Sequence, residues 1–399
     1  MHADPVTADT VRTHLDAERV LKAVQDSIRV PSVFGSESAV ADFFADLMRR
    51  TGFTTVEQRD AAPRRPNVIG TYDTGRPGRH LVLQGHMDTV PVGEHPEPFS
   101  GEIRDGAIHG RGASDMKGPL ATAVMAVELA RLSHPDLAGR CTVVCTVDEE
   151  SEKRGIFEIV DHGLQADFGI CVEPTDLRVA VAQKGCLSAR VTTHGVAAHG
   201  ANPHMGVNAI AKMARIVTAI ETATLPTLDV PGVGEILATY NVGVITGGQM
   251  FFIVPDRCSI WVDRRTVPGE SLADALQGLA DLVREIDPDA DVVAERQDWK
   301  WDRIQRRGIG SCSVPVDSPV VRAVVDGIEA VSGRPAVMHV QNAWCETDFL
   351  VNDLGIPTVN FGPGKMELAH TSTEHIDVDS VLSGVQALAL AIGAICRAA

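Results

Sequence analysis

The chain has 399 residues, more than one typical domain needs, and its apolar fraction of 44% is ample for buried cores. Its 53 acidic and 36 basic side chains give a formal charge of -17, which argues against nucleic acid or an anionic membrane surface as a partner. Eight cysteines are scattered with no Cys-x-x-Cys pair and no short disulfide frame, so a reducing, cytoplasmic setting with free thiols is expected.

The first ten residues have neither a basic head nor an apolar core, which excludes an ordinary signal peptide. The first informative segment is the apolar run Leu81, Val82, Leu83, a strand that closes on Gly85-His86-Met87-Asp88-Thr89-Val90-Pro91. Residues two apart on an extended strand share a face, so His86 and Asp88 project together, one fit to bind a metal and the other to orient the imidazole. Taken alone, the pair also describes a loop histidine bonded to a turn aspartate. Asp115 stands in the glycine-rich segment 110–118 just before a helix-like stretch containing Leu120, Ala123, Val124 and Val127, where a helix cap is the ordinary reading. Asp148-Glu149-Glu150 follows the strand-like run 141–147, and three successive carboxylates repel one another unless cations or solvent compensate. Glu173 follows another strand-like run, 168–172.

From about residue 184 to 295 no further ligand candidate occurs. The pattern there predicts strand 187–193, helix 208–220, strands 239–245 and 258–262, helix 272–286 and strand 291–294, the order of a split βαβ unit. Far down the chain His370 lies in Gly-Pro-Gly-Lys-Met-Glu-Leu-Ala-His-Thr-Ser-Thr-Glu-His, residues 362–375. The apolar tail 381–396 carries Leu382, Val385, Leu388 and Ile392 at helical spacing and reads as a core-packing helix rather than a membrane span.

His86, Asp115, Glu150, Glu173 and His370 are thus five dispersed candidates for holding two divalent metal ions. The acidic groups repeatedly fall where strands end, which is where open α/β sheets build their sites. The organisation expected is an α/β catalytic domain, a mixed sheet with helices on both faces, formed by residues 1–183 and 297–399. An inserted α+β, ferredoxin-like domain, residues 184–296, interrupts it.

These motifs, with residues 194–210, 254–270 and Glu346-Thr347-Asp348, resemble in order and spacing the zinc-peptidase family of acetylornithine deacetylase, succinyl-diaminopimelate desuccinylase, aminoacylase and glutamate carboxypeptidase. The resemblance covers nearly the whole chain. It implies one metal held by His86 and Glu173, the other by Glu150 and His370, with Asp115 bridging and Glu149 as catalytic base. It also implies that Asp88 braces His86, that His199 stabilises the developing oxyanion, often across a dimer, and that Arg265 binds a substrate carboxylate. The inserted domain then acts as lid and homodimer interface.

Imidazole and carboxylate donors suit zinc, with cobalt or manganese as alternatives. Two such ions polarise a carbonyl and make a bridging water acidic, and Glu149, free of the metals, can move its proton to the leaving amine. The function expected is hydrolysis of a linear amide, N-deacylation of an N-acyl amino acid or diamino acid. A dipeptidase or carboxypeptidase is the alternative within the enzyme class, and a non-catalytic metal-dependent binding protein the alternative outside it. Retention of Glu149 favours the enzyme. The chain departs from the family pattern at Phe252, where an amide is usual, at Trp344-Cys345-Glu346, which adds bulk and a carboxylate, and at Ser151-Glu152-Lys153-Arg154, where small residues are commoner.

Overall fold

Strands His80–His86, Arg140–Thr146 and Phe168–Cys171 are buried along almost their whole length, as parallel strands covered on both faces are. In the computed structural model, which describes residues 7–295 and 301–397, they form the middle of a mixed sheet of nine strands. Its order runs Thr55–Ala62, Arg65–Asp73, Arg140–Thr146, His80–His86, Phe168–Cys171, Thr358–Asn360, Val179–Gln183, Cys312–Ser313, and Met338–Gln341 pairs with Val179–Gln183 off that path. The four from Arg140–Thr146 to Thr358–Asn360 are parallel neighbours, and the pairs at either side are antiparallel. The sheet belongs to the first of two units, made by the described parts of Met1–Ala182, Ser313–Gln341 and Cys345–Ala399.

Helix Lys117–Ser133 is apolar all round and buried on nearly every side, packing against Ala17–Arg29 and Val378–Ile395. The terminal helix Val378–Ile395 is long and apolar enough to cross a membrane by length and composition. Its Val381, Val385, Leu388 and Ile392 are nevertheless buried against helices of the same unit, which accounts for their apolar character.

The second unit consists of the described parts of Gln183–Cys312 with Asn342–Trp344. Its four-stranded antiparallel sheet has the order Thr239–Gly247, Arg257–Thr266, Gly185–His194, Asp291–Ala294. Helices Ala209–Thr222 and Leu272–Ile286 bury Met213, Ile216, Leu279 and Val283 against Ala189, Val191, Ile260 and Val262 of the sheet. Asn208 and Ser271 start these helices by accepting the backbone N–H of Ala211 and Asp274. The hairpin Thr227–Val230 with Gly234–Leu237 adds two strands that the sequence pattern did not predict. The unit also runs beyond residue 296, since it carries helix Asp302–Arg307 and the pairing of Ile309 with Cys186.

Candidate metal centre

The parallel strands of the first unit gather the candidate donors. His86 is the last residue of its strand, in register with Thr146 of the neighbouring strand. Glu149 and Glu150 follow that neighbour, Glu173 follows Phe168–Cys171, and the loop bearing His370 follows Thr358–Asn360. All therefore lie off the carboxyl ends of four adjacent strands, the place where open α/β sheets collect ligands. Asp115 joins them from the turn before helix Lys117–Ser133, where its peptide bond to Met116 is cis. That turn presses on the helix start so closely that a Cβ on Gly118 would stand 2.2 Å from the carbonyl oxygen of Ala113.

Donor atoms of His86, Asp115 and Glu173 lie within 4.8 Å of one another, and so do those of Asp115, Glu150 and His370. Asp115 is common to both groups and offers a different oxygen to each: Oδ1 is 3.1 Å from His86 Nε2, Oδ2 3.3 Å from His370 Nε2. His370 Nε2 also lies 3.0 Å from Glu150 Oε1. His370 holds its ring there from a left-handed backbone, φ 64, which is uncommon for non-glycine residues although histidine adopts it more readily than most.

The ring orientation of His86 tests whether metals fit. Its Nδ1 donates to the backbone carbonyl of Asp88 at 3.0 Å. In the neutral imidazole the lone pair is then on Nε2, facing a carboxylate oxygen, and two lone pairs face each other unless a proton or a cation stands between them. The electrostatics agree. Burial pushes the carboxyls of Asp88 and Glu173 well up, and that of Glu150 up, with neighbouring acids adding to the rise in each. Hydrogen bonds to His370 and His86 overcome burial at Asp115 and hold it well below the usual carboxylate range. Hydrogen bonds to Asp115 and Glu150 raise His370 to about 10. For His86, burial is outweighed by the Asp115 bond and the surrounding carboxylates, which push it well above its ordinary value. Acids short of positive charge and imidazoles drawn toward protonation describe a pocket built for cations.

Other residues fix this frame. Asp88, fully buried, is the brace that sequence reasoning assigns to His86, but its carboxylate is 3.7 Å from Nδ1 and bonds elsewhere. Its two oxygens accept the backbone N–H groups of Glu149 at 3.0 Å and Glu150 at 2.9 Å, so that Asp88 shapes the acidic turn. Glu374, buried and ion-paired to Arg111, accepts the N–H groups of Ser114 and Asp115, while Arg111 reaches the carbonyl of His370 at 3.4 Å. This pair joins Asp115 to the histidine loop. Arg65 binds Glu37 and Asp148 together, and Asp148 opens the acidic turn with φ 68. Sequence reasoning assigned no role to Arg111, Glu374, Arg65 or Glu37. Arg111 and Glu374 lie inside motifs that it quotes, whereas Arg65 and Glu37 carry no signal.

Glu149 also forms a donor group with His86 and Glu150, their ligand atoms within 4.8 Å of one another, and its Oε2 is 4.0 Å from His86 Nε2. Its other oxygen is bound by Lys153. Glu346 is buried as well, bonded to Gln84 and Thr146, and burial together with the charge of Glu149 pushes it up to about 7.

The remaining two candidates belong to the second unit. His199 lies in the short strand Ala198–His199 and is exposed, and its Nδ1 accepts the N–H of Ala201 at 3.0 Å. The ring proton is therefore on Nε2 in the neutral form. Arg265 lies near the end of strand Arg257–Thr266, its Nε paired with Asp263 at 3.0 Å. Its neighbour Arg264 is buried, ion-paired to Glu270 and set 5.0 Å from the ring centre of Tyr240. Phe252 is half exposed, its carbonyl accepting the N–H of Gly200.

Comparison with known proteins fits this geometry, for the profile of peptidase family M20/M25/M40 matches residues 82–394. The chain belongs to that family. Among curated M20 relatives, N-formyl-4-amino-5-aminomethyl-2-methylpyrimidine deformylase of Bacillus subtilis is 27% identical over 368 residues, 86% of each chain. Acetylornithine deacetylase of Proteus mirabilis is 29% identical over 362 residues, again 86% of each. The solved YXEP protein of Bacillus subtilis, described as a dinuclear metal binding peptidase from the M20 family, shares the fold with a TM-score of 0.69 at 14% identity, covering 95% of this chain and 98% of that one. The M20 family is one of hydrolases, and the chain is a hydrolase of that family.

Proposed function

We propose that this M20 protein hydrolyses a linear amide at two divalent metal ions, zinc by preference, and that its substrates are N-acyl amino acids or diamino acids. The observation that carries the reading is the bridging posture of Asp115, one oxygen toward His86 and the other toward His370, between two groups of donors. His86 and Glu173 would hold one ion and Glu150 and His370 the other. When bound, the ions supply Lewis-acid polarisation of the substrate carbonyl and acidify water near neutral pH.

Glu149 would take a proton from the attacking water on Oε2 and return it to the leaving amine. Asp88 keeps that carboxylate in place by anchoring the backbone N–H groups of the acidic turn. His199, with Nε2 free to donate, would meet the charge developing on the carbonyl oxygen, and Arg265 would bind the substrate carboxylate. A homodimer through the second unit is supported by its edge strand Thr239–Gly247, where Val244 and Ile245 are about half exposed. The eight buried free thiols support a reducing, cytoplasmic setting.

The deformylase and deacetylase relatives favour deacylation, while the same donors serve a dipeptidase or carboxypeptidase equally well. The test is a panel of N-acetyl, N-succinyl and N-formyl amino acids with dipeptides, assayed on the protein before and after chelation. Activity should vanish on chelation and return with zinc or cobalt. Full activity in protein shown by metal analysis to be metal-free would refute the reading, and metal binding with no hydrolysis of any member would favour a binding protein.

A further inference from the structure

Lys153 is a long cation in a place that disfavours one. Its side chain is fully buried, its backbone is left-handed with φ 62, and it opens helix Arg154–Asp161 without capping it. A buried ammonium persists only where its partners replace lost hydration. Here Nζ donates to the carbonyl oxygen of Glu149 and to Oε1 of the same residue. The other oxygen, Oε2, is the one near His86 Nε2, at 4.0 Å. One oxygen of the carboxylate is therefore held and the other faces the donors.

Glu346 completes the arrangement. Its Oε2 accepts from Gln84 and Thr146, and its Oε1 is buried with no hydrogen-bond partner among the described residues. The charge of Glu149 disfavours ionisation of Glu346 and the charge of Lys153 favours it, so the three groups share one field. Lys153 and Glu346 are also two of the points at which this chain departs from the pattern it resembles, one adding a cation and the other an acid.

We infer that Lys153 is a positioning residue that grips Glu149 by Oε1, leaving Oε2 alone to receive the proton of the attacking water, and that Glu346 balances the charge this cation adds. The inference rests on Glu149 being the base. With Lys153 gone, the carboxylate is free to turn about its last torsion, and its two oxygens become interchangeable.

A double-mutant cycle on the metal-loaded protein tests this. N-acetyl-L-ornithine is the first substrate, replaced by the best member of the panel above if the wild type does not hydrolyse it. K153M should lower kcat at least about tenfold with KM within about twofold and both metals retained, because a misplaced base costs turnover rather than binding. In the E149Q background the same change should cost less than about twofold, since the group it positions has already been disabled. K153R, which still donates, should keep about a third or more of kcat, and K153M/E346Q should regain at least about threefold over K153M.

Equal losses in both backgrounds would make Lys153 a general structural residue and overturn the inference, as would wild-type kcat in K153M. No regain in K153M/E346Q would remove Glu346 from it. If K153M does not fold, K153Q takes its place in the cycle. Undiminished turnover in E149Q itself would instead overturn the base assignment, an outcome that position 153 does not affect.

Discussion

Asp88→Asn separates two accounts of how the metal centre is held. The carboxylate is fully buried and gives one oxygen to the N–H of Glu149 at 3.0 Å and the other to that of Glu150 at 2.9 Å. An amide keeps one acceptor and turns a donor toward the second N–H. The loss is one charge-assisted hydrogen bond with its donor left buried, about 1.5 to 3 kcal/mol. If that cost falls on the state in which the acidic turn is ordered around its metal, affinity drops about 10- to 100-fold, at about 1.4 kcal/mol per tenfold. Because the bonds reach Glu149 and Glu150 rather than the His86 ring, the ion proposed for Glu150 and His370 should loosen first. Competition against a chromophoric chelator measures this, with kcat taken at saturating metal. In a His370→Gln background, which leaves only the site of His86 and Glu173, D88N should add less than about threefold. A larger loss there than in the wild type would show that Asp88 works through His86, and unchanged affinity in both backgrounds would refute the reasoning altogether.

Glu149→Gln should lower kcat by at least about a hundredfold while metal content stays at the wild-type level, because a positioned general base contributes that much or more; near-normal turnover would remove the residue from that role. His134 and His339 are pushed down to about 4 by burial, with Arg397 and Arg178 adding to the effect. Their folded values lie below the ordinary 6.5, so their contribution is complete above pH 6.5 and is lost as pH falls through 4. The melting temperature should therefore drop across that window, less steeply in His339→Gln, and parallel curves for the two proteins would contradict the assignment. If the second unit pairs two subunits and lends His199 to the partner, mixing His199→Ala with Glu149→Gln chains should restore activity, since two-fold symmetry gives each mixed dimer one intact site. No recovery after proven subunit exchange would mean that His199 acts within its own chain or not at all.

The strands were legible because each is an apolar run with a polar motif at its end. Leu81 to Leu83 run into His86, residues 141–147 into the acidic triplet and residues 168–172 into Glu173, and the structure has a strand before each motif. In the second unit, helix Leu272–Ile286 and strand Asp291–Ala294 have the bounds that periodicity predicts. The hairpin Thr227–Val230 with Gly234–Leu237 was missed although its Pro231-Gly232 turn, with Gly232 at φ 79, is a readable signal. The partners of the residues that hold the candidate site were not readable. Arg65 meets Glu37 across 28 residues and Arg111 meets Glu374 across 263, and a buried ion pair leaves no periodicity behind. The carboxylate of Asp88 was assigned to the nearest imidazole in sequence, whereas the fold offers it two backbone N–H groups from another strand end.

The strand order also sets a timetable for synthesis. Thr358–Asn360 lies between Phe168–Cys171 and Val179–Gln183, so a late strand fills a slot between two early ones. About 190 residues separate Cys171 from Thr358, and at about 5 to 20 residues per second the ribosome takes about 10 to 40 s to cover them. Throughout that interval the edge of Phe168–Cys171 has no permanent neighbour on that side, while most of the second unit emerges. His370 emerges later still, so a chain not yet that long lacks one member of the donor group that it forms with Asp115 and Glu150. The proposed centre is therefore incomplete until residue 370 has been made, and a chain that stops before Thr358 leaves a strand edge open.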